Sequence, residues 1–416
     1  MTTRARVTTL ALAVGVLTLT LLPLEAQRSS NDWVQWRGPN RNGVITGFTA
    51  PAAWPETLTQ RWRVEVGTGY ASPIAAGDRV YVFSRRGDNE GMSAHDAATG
   101  KELWRAGYEA PYKMHSAAVP HGQGPKSTPI FSNGRLFSIG MTGVVTAWDA
   151  ATGKTLWQKP GTEPVPLYTS HAFSPMVDGN NVIFHVGGHG KGALTAFDIN
   201  TGAVKWSWTG DGPSYGSPVI ATISGTRQLI IVTQDKIIGV DPASGALFWE
   251  RAFPSKISVN SGTPVMAGDT VIVGGSDLPT QAFTPVKNGS TWTTTTVWEN
   301  NDIPLRHTNM VLAGDLIFGM TTKNSGQYFA VNAKTGQSLW TSPGRQGTAG
   351  AIMRFGDYFF SLQNNGELLV IRNSPSAFDV VKRYKVAEGE TWAEPVFSGN
   401  RILIKDLNHV TLWTLN

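Results

Sequence analysis

Apolar and polar positions alternate along this chain in short runs, and no helical periodicity appears after the first 30 residues. The basic unit is a short apolar strand, a Gly-Asp or Asn-Gly type turn, and a second strand rich in Val, Ile, Leu and aromatics. It recurs as Ser72–Ser84, Thr128–Gly140, Ser174–Gly187, Ser217–Thr233, Thr263–Gly275, Asn309–Met320, Ala351–Leu362 and Glu394–Asp406, eight copies in all. A second pattern runs half a period out of phase. DAATGKELW at Asp96–Trp104 returns as DAATGKTLW (Asp149–Trp157), DINTGAVKW (Asp198–Trp206), DPASGALFW (Asp241–Trp249) and NAKTGQSLW (Asn332–Trp340). The starting positions lie 53, 49, 43 and 91 residues apart, so the last gap should hold one worn copy, placed at Val297-Trp298-Glu299.

Each part of the second pattern has a physical role. The leading Asp or Asn accepts hydrogen bonds from amides two or three residues on and closes an Asx-type turn. Gly100, Gly153, Gly202, Gly245 and Gly336 stand where the chain needs a positive φ. The Trp opens the outgoing strand of the hairpin, as a core residue rather than a cofactor contact. Four strands repeating about every 45 residues predict an all-β chain, an eight-bladed β-propeller of four-stranded blades. Seven blades is the alternative, should one degenerate unit be a loop. The eighth unit supplies only three strands, ending with Arg401–Lys405 and His409–Leu415. Gln60–Gly67, with Trp62 in the docking position, reads as the missing outer strand, and borrowing it closes the ring with no exposed sheet edge. Whether Thr291–Thr296 continues a strand or bulges out is left open.

Composition agrees with a ring: 46 Gly, 24 Pro and 15 Trp in 416 residues are turn formers and docking aromatics. Length alone suggests two or three domains, but all-β rings exceed that expectation as single units. Residues 1–26 read as a cleavable signal peptide: Arg4 and Arg6, then a 16-residue apolar run over Val7–Leu22, then Leu24-Glu25-Ala26. An uncleaved membrane anchor is the alternative, and the run is short for a span. The expected organisation is signal 1–26, N-terminal extension 27–57, and propeller 58–416. Losing two Arg and one Glu with the signal leaves 33 basic and 29 acidic residues, a mature charge of +4. Without a dense Lys/Arg run, nucleic acid is not an expected partner. The chain has no cysteine, which excludes disulfides, thiolate chemistry and a lipid-bearing cysteine. The expected address is periplasmic or secreted, with no stable membrane anchor after signal cleavage.

The D-x-x-T-G-K-x-x-W pattern resembles the PQQ-like, tryptophan-docking repeat shared by quinoprotein alcohol dehydrogenases and the outer-membrane assembly lipoprotein BamB. Asp32–Gly43 (DWVQWRGPNRNG) and His121–Pro129 (HGQGPKSTP) are similar to segments of a secreted bacterial branch of these propellers. The resemblance covers the chain from about Asp32 to Asn416 and implies the fold more strongly than an activity. Quinoprotein dehydrogenases carry two adjacent cysteines over the quinone and are longer. This chain has neither feature, nor a counterpart of their calcium-binding segment. Membrane attachment through a lipidated cysteine, as in BamB, does not carry over either, whereas a binding scaffold does.

In a propeller the residues just before each first strand converge near the axis on one face. These positions carry Tyr70, Lys126, His171, Phe173, Tyr215, Ser261, His307, Trp392 and Glu394, with Arg354 nearby. Lys126, His171, His307, Arg354 and Glu394 are the candidate ligand-binding set, suited to an anion, a sugar or, less readily, a metal. His115 and His121, on the long insertion Tyr108–Lys126, are candidates for a lid. The plain alternative is that these groups hydrogen-bond around a water-filled channel. No nucleophile, acid/base pair or metal cage stands at a recognisable spacing, so no catalytic or metal-ligating residue is expected. The repeat aspartates are structural turn residues. The expected function is a non-catalytic binding scaffold for a protein partner or small ligand, with no cofactor. The alternatives are a PQQ- and calcium-dependent oxidoreductase, or a small-molecule or glycan binder (or lyase) on the axial face.

Overall fold

The computed structural model describes residues 32–161, 170–256 and 260–415. The signal-peptide reading of residues 1–26 lies outside them. Eight antiparallel sheets of four strands each form the ring. In the first blade the strands are Ile74–Ala76, Arg79–Arg86, Asn89–Asp96 and Glu102–Glu109, and six further blades repeat this order in sequence. The eighth holds Val396–Ser398, Arg401–Lys405 and His409–Thr414, and is completed by Thr59–Glu65, with Val64 opposite Val410. Eight blades and closure by the N-terminal strand are therefore both found. First strands of neighbouring blades contact one another around the axis. The face at which the chain enters these inner strands is called upper here.

The Ser-Pro and Thr-Pro starts of the first pattern build a belt around the axis. The amide of Ser72 donates to Thr128 Oγ1 (3.2 Å), that of Thr128 to Ser174 Oγ (3.1 Å), and that of Ser174 to Ser217 Oγ (3.1 Å). Farther round, Thr263 donates to Asn309 Oδ1 (2.8 Å), and Glu394 N–H returns to Ser72 Oγ (2.9 Å). At five of the junctions a blade thus satisfies a buried amide of its neighbour, where water has no access.

The apolar core is distributed between blades, as in the cluster of Phe137, Trp157, Phe184, Ile199, Trp206 and Ile231. All but one of the docking Trp residues serve the next blade. Trp62, Trp104, Trp157, Trp206 and Trp298 donate their indole N–H to the carbonyls of Ala97, Ala150, Ile199, Pro242 and Ala333, one residue past the turn Asp in four cases and past Asn332 in the fifth. The turns close as expected: Asp149 Oδ1 accepts from the amides of Ala151 (3.1 Å) and Thr152 (2.8 Å). Gly153, at φ 77°, lies under the preceding blade's Trp104, where a Cβ would come within 2.5 Å of the ring.

The exceptions follow the same logic. The fifth blade has no such turn for Trp249 to reach, so its indole donates to Gln228 Oε1 within its own blade (2.6 Å). The fifth blade instead sends back the hairpin Thr280–Asn288 and Thr291–Asn300, whose Trp292 packs 5.8 Å from Phe248 of the fourth. Thr291–Thr296 is thus a continuous strand. The worn copy at Trp298 docks normally. In the seventh blade Lys382 holds the docking register, opposite Val370, and the eighth blade has a chain break where the turn would be.

Residues 32–48 do not stand in front of the ring; they enter its channel from the lower face as a loop. Trp33 bridges to Ala75 of the first blade, and Val34 O accepts Phe131 N–H of the second (2.9 Å). Arg41 donates to the carbonyls of Ser174 (3.0 Å), Pro175 and Pro218 (2.8 Å each) in the third and fourth. Trp36 Nε1 reaches Thr263 Oγ1 of the fifth (3.1 Å), and Arg37 reaches Met310 O of the sixth (2.8 Å). Arg37 also pairs with Glu394 of the eighth (3.2 Å), and Val44 pairs with Arg354 of the seventh. One loop thus touches every blade. Both arginines are almost fully buried, at 2% and 3% exposure, and both have positive φ (58° and 55°).

Candidate functional site

With the axis filled from below, open space near it remains on the upper face. There a cleft of about 390 Å³ is lined by His121, Arg306, His307, Asn364, Glu390 and Trp392, with Thr322, Ser325 and Thr348 on its rim. His121 arrives on the 3₁₀ turn Ser116–His121 of the long insertion, which crosses from the first blade and rests Gly122 against Leu407 of the eighth. His307 and Trp392 sit just before the inner strands of the sixth and eighth blades. The indole stands edge-to-face with both imidazoles, 5.1 Å from His121 and 5.7 Å from His307, and the imidazoles are 6.5 Å apart. Arg306 Nε donates to His307 Nε2 (3.2 Å), and Trp392 Nε1 donates to Glu390 Oε2 (3.0 Å). Surrounding protein, then Lys126, holds the His121 pKa below the usual histidine value. His307 is shifted the same way by the protein around it, by Arg306 and by His121, though its contact with solvent limits that shift.

Of the residues singled out in the sequence, His121, His307 and Trp392 meet in this cleft; the rest of the candidate ligand and lid set is placed elsewhere. Lys126 turns back into its own loop, donating to the carbonyls of Gly122 and Gly124 (3.3 Å each), and burial pushes its pKa down to about 8. His171 is a core residue, 1% exposed, with no hydrogen-bond partner on either ring nitrogen among the described residues. Burial pushes its pKa down to about 3, with His185 adding to the effect. Glu394 lies in the channel, its Oε1 accepting from Arg37 and, at 3.4 Å, from Asn309. Burial raises its pKa against the opposing pull of Arg37. A small cavity of about 40 Å³ lies beside it, walled by Trp36, His307 and Trp392, directly beneath the cleft. Arg354 is at the lower end of its strand Gly350–Phe355, its backbone bound to Gly43 and Ile45. His115 does not line the cleft.

Sequence reasoning did not anticipate Arg306, Asn364 or Glu390, nor the channel roles of Trp36, Arg37 and Arg41. The two Gly residues and the Pro around these arginines signal a tight loop, but nothing local signals burial of their charge.

The residues present do not fit a quinone held by calcium. Calcium takes about six to eight oxygen ligands, mostly carboxylate and carbonyl. The cleft offers one carboxylate, Glu390, already engaged by Trp392. Among the described residues no group of three or more His, Asp or Glu side chains is placed to hold a metal ion.

Comparison with known proteins agrees with the architecture. The family model described as outer membrane protein assembly factor BamB matches residues 41–112 and 88–342. BamB of Burkholderia pseudomallei is 26% identical over 286 residues, covering 60% of this chain and 71% of that protein. Polyvinylalcohol dehydrogenase of a Sphingopyxis species is 26% identical over 267 residues, but the match spans 53% of this chain and 39% of the enzyme. Among solved structures, BamB of Moraxella catarrhalis aligns with a TM-score of 0.62 at 18% identity, covering 86% of this chain and all of the other. Quinohemoprotein alcohol dehydrogenase of Comamonas testosteroni aligns with a TM-score of 0.68 at 13% identity, covering 94% and 81%. At such identities the structural likeness is one of fold alone. The family model, in contrast, spans most of the repeats, and the chain belongs to the PQQ-like β-propeller repeat family that it describes.

Proposed function

We propose that this protein is a non-catalytic binding scaffold, exported from the cytoplasm, that holds a protein partner on its upper axial face. The observation that carries this reading is the sealed axis. A loop of the chain itself fills the channel and leaves above it an open, shallow cleft rather than an enclosed pocket. An open cleft with a central Trp and Arg suits an interface, where such residues concentrate binding energy. An enclosed site, which excludes water, would suit catalysis better. That a relative over most of its length is named an assembly factor supports the same reading.

The test compares capture of extracytoplasmic proteins by the wild-type chain, by Trp392→Ala, and by Asp357→Ala, a change in an exposed turn of the lower face. Proteins held by the wild type and by Asp357→Ala but lost by Trp392→Ala are the expected result. Equal capture by all three would overturn the upper-face assignment. Dye-linked oxidation of alcohols by the chain loaded with pyrroloquinoline quinone and calcium would overturn the non-catalytic reading.

A further inference from the structure

Arg306 is the one cation in the cleft lining, which also holds the carboxylate of Glu390. Arg306 forms no ion pair among the described residues, its Nε–H going to the neutral acceptor His307 Nε2. Lys126, close behind His121, donates to carbonyls and is offset by the Glu90 carboxylate. The neighbouring rim cation Lys323 is already paired with Asp302 (2.9 Å). Glu390 is the one carboxylate in the lining, and it receives the Trp392 indole N–H. Arg306 is thus the cation left without a carboxylate of its own among the described residues, and an acidic partner can supply one.

Backbone strain collects at the same place. His307 (φ 58°), Asn324 (φ 52°), Ser325 (φ 60°) and Arg345 (φ 64°) all have left-handed backbone without being glycine. His307 and Ser325 line the cleft, and the amide of Arg345 ties its loop to Asn324 O (2.9 Å). Each such residue costs on the order of 1 kcal/mol or more and persists where the surroundings over-determine it, as at binding sites. Beside these, Trp392 braced edge-on by two imidazoles forms a rigid apolar surface of side-chain size.

We infer that this cleft anchors an acidic segment of the partner protein, a carboxylate seated on Arg306 and an adjoining apolar side chain against Trp392, His121 and His307. The inference rests on the scaffold reading and names the chemistry of the partner. Charge selects the segment, and the aromatic surface supplies the apolar contact that a free anion would lack.

The experiment is equilibrium binding of fluorescein-labelled hexapeptides of alternating Leu and Glu, Leu and Lys, or Leu and Gln to the full chain, read by anisotropy. The Leu-Glu peptide should bind, and at least about tenfold more tightly than the other two, a difference of about 1.4 kcal/mol. Arg306→Gln should erase that preference, Arg306→Lys should restore part of it, and Trp392→Ala should weaken binding of the peptide. Arg306 is exposed, so the folded state of its variants can be verified by circular dichroism alongside. Equal binding of the three peptides, or an unaffected Arg306→Gln, would overturn the inference. So would displacement of the peptide by acetate or inorganic phosphate at the peptide's own concentration, which would mark a small-anion site. Should no peptide bind while Trp392→Ala still loses captured proteins, this inference fails and the scaffold stands. Should the peptide bind while no protein is captured, the acidic-segment site stands and the scaffold reading fails.

Discussion

The repeat glycines carry two constraints at once, and they can be separated by mutation. Gly153 has φ 77° and sits with its Cα hydrogen against Trp104, whereas Gly134 has φ 73° and open space around it. Gly134→Ala should cost about 1 kcal/mol, the positive-φ penalty alone. Gly153→Ala should cost about 2–4 kcal/mol, because the indole must also move. Chemical denaturation of the two variants checks the difference, and equal losses would mean that the indole is not tightly seated. The buried histidines set a pH dependence. The folded-state pKa is pushed to about 3 for His171 and about 4 for His185, in both cases chiefly by burial. An unfolded chain takes up these protons near pH 6.5 and the folded chain does not, so stability from these sites is intact above that pH. It is lost as pH falls from there toward 4. At pH 5 the loss is on the order of 2 kcal/mol per histidine. His171→Gln and His185→Gln should each flatten the fall in melting temperature between pH 7 and 5. An unchanged slope would show that these rings are protonated in the folded protein.

At the scale of elements, the rule that a Trp docks on the next blade's turn accounts for its own exceptions. Trp249 and Lys382 stand where the next blade offers no such turn. The long fifth-blade hairpin compensates in the first case, so Trp292→Ala should speed amide exchange over Phe283–Thr296 while barely shifting global melting. A large fall in melting temperature would mean that the hairpin bears on the whole ring. The axial loop is the other unusual element. Arg37 and Arg41 are buried cations, and removing one partner of a buried pair costs about 3–5 kcal/mol. Arg37→Ala leaves the buried Glu394 without its ion-pair partner, and Arg41→Ala strands the carbonyls of Ser174, Pro175 and Pro218. Both variants should melt early and expose residues 32–48 to protease. Pairing Arg37→Met with Glu394→Leu should recover part of the loss, since neither charge is then left unmatched.

For the whole molecule, the ring is closed twice, at the rim by Thr59–Glu65 and along the axis by the loop that touches all eight blades. A chain lacking residues 32–48 should keep its rim closure but melt at lower temperature, and a synthetic peptide of Asp32–Ile45 should raise that temperature in a concentration-dependent way. No response to the peptide would mean that the loop acts only while the ring folds. These two closures differ in how far they could be read beforehand. The blades, their number, the worn copy at Trp298 and the strand around Trp62 were legible because each depends on contacts within one repeat or between neighbours, and repetition makes such local chemistry visible. The loop has no second copy, and its arginines look like surface charge, since carbonyls of three blades and a carboxylate of a fourth surround them only after the ring has closed. The candidate site divides the same way. Position before an inner strand brought His307 and Trp392 to the axis, and an unusually long insertion carried His121 there. Depth was not legible: Glu394 went into the channel, Arg354 to the opposite face and His171 into the core. By itself the sequence determined how the backbone alternates, turns and repeats, because those preferences act over a few residues. Only the tertiary structure decided which polar side chains share the cleft and which are buried, because that depends on how blades distant in sequence surround each one.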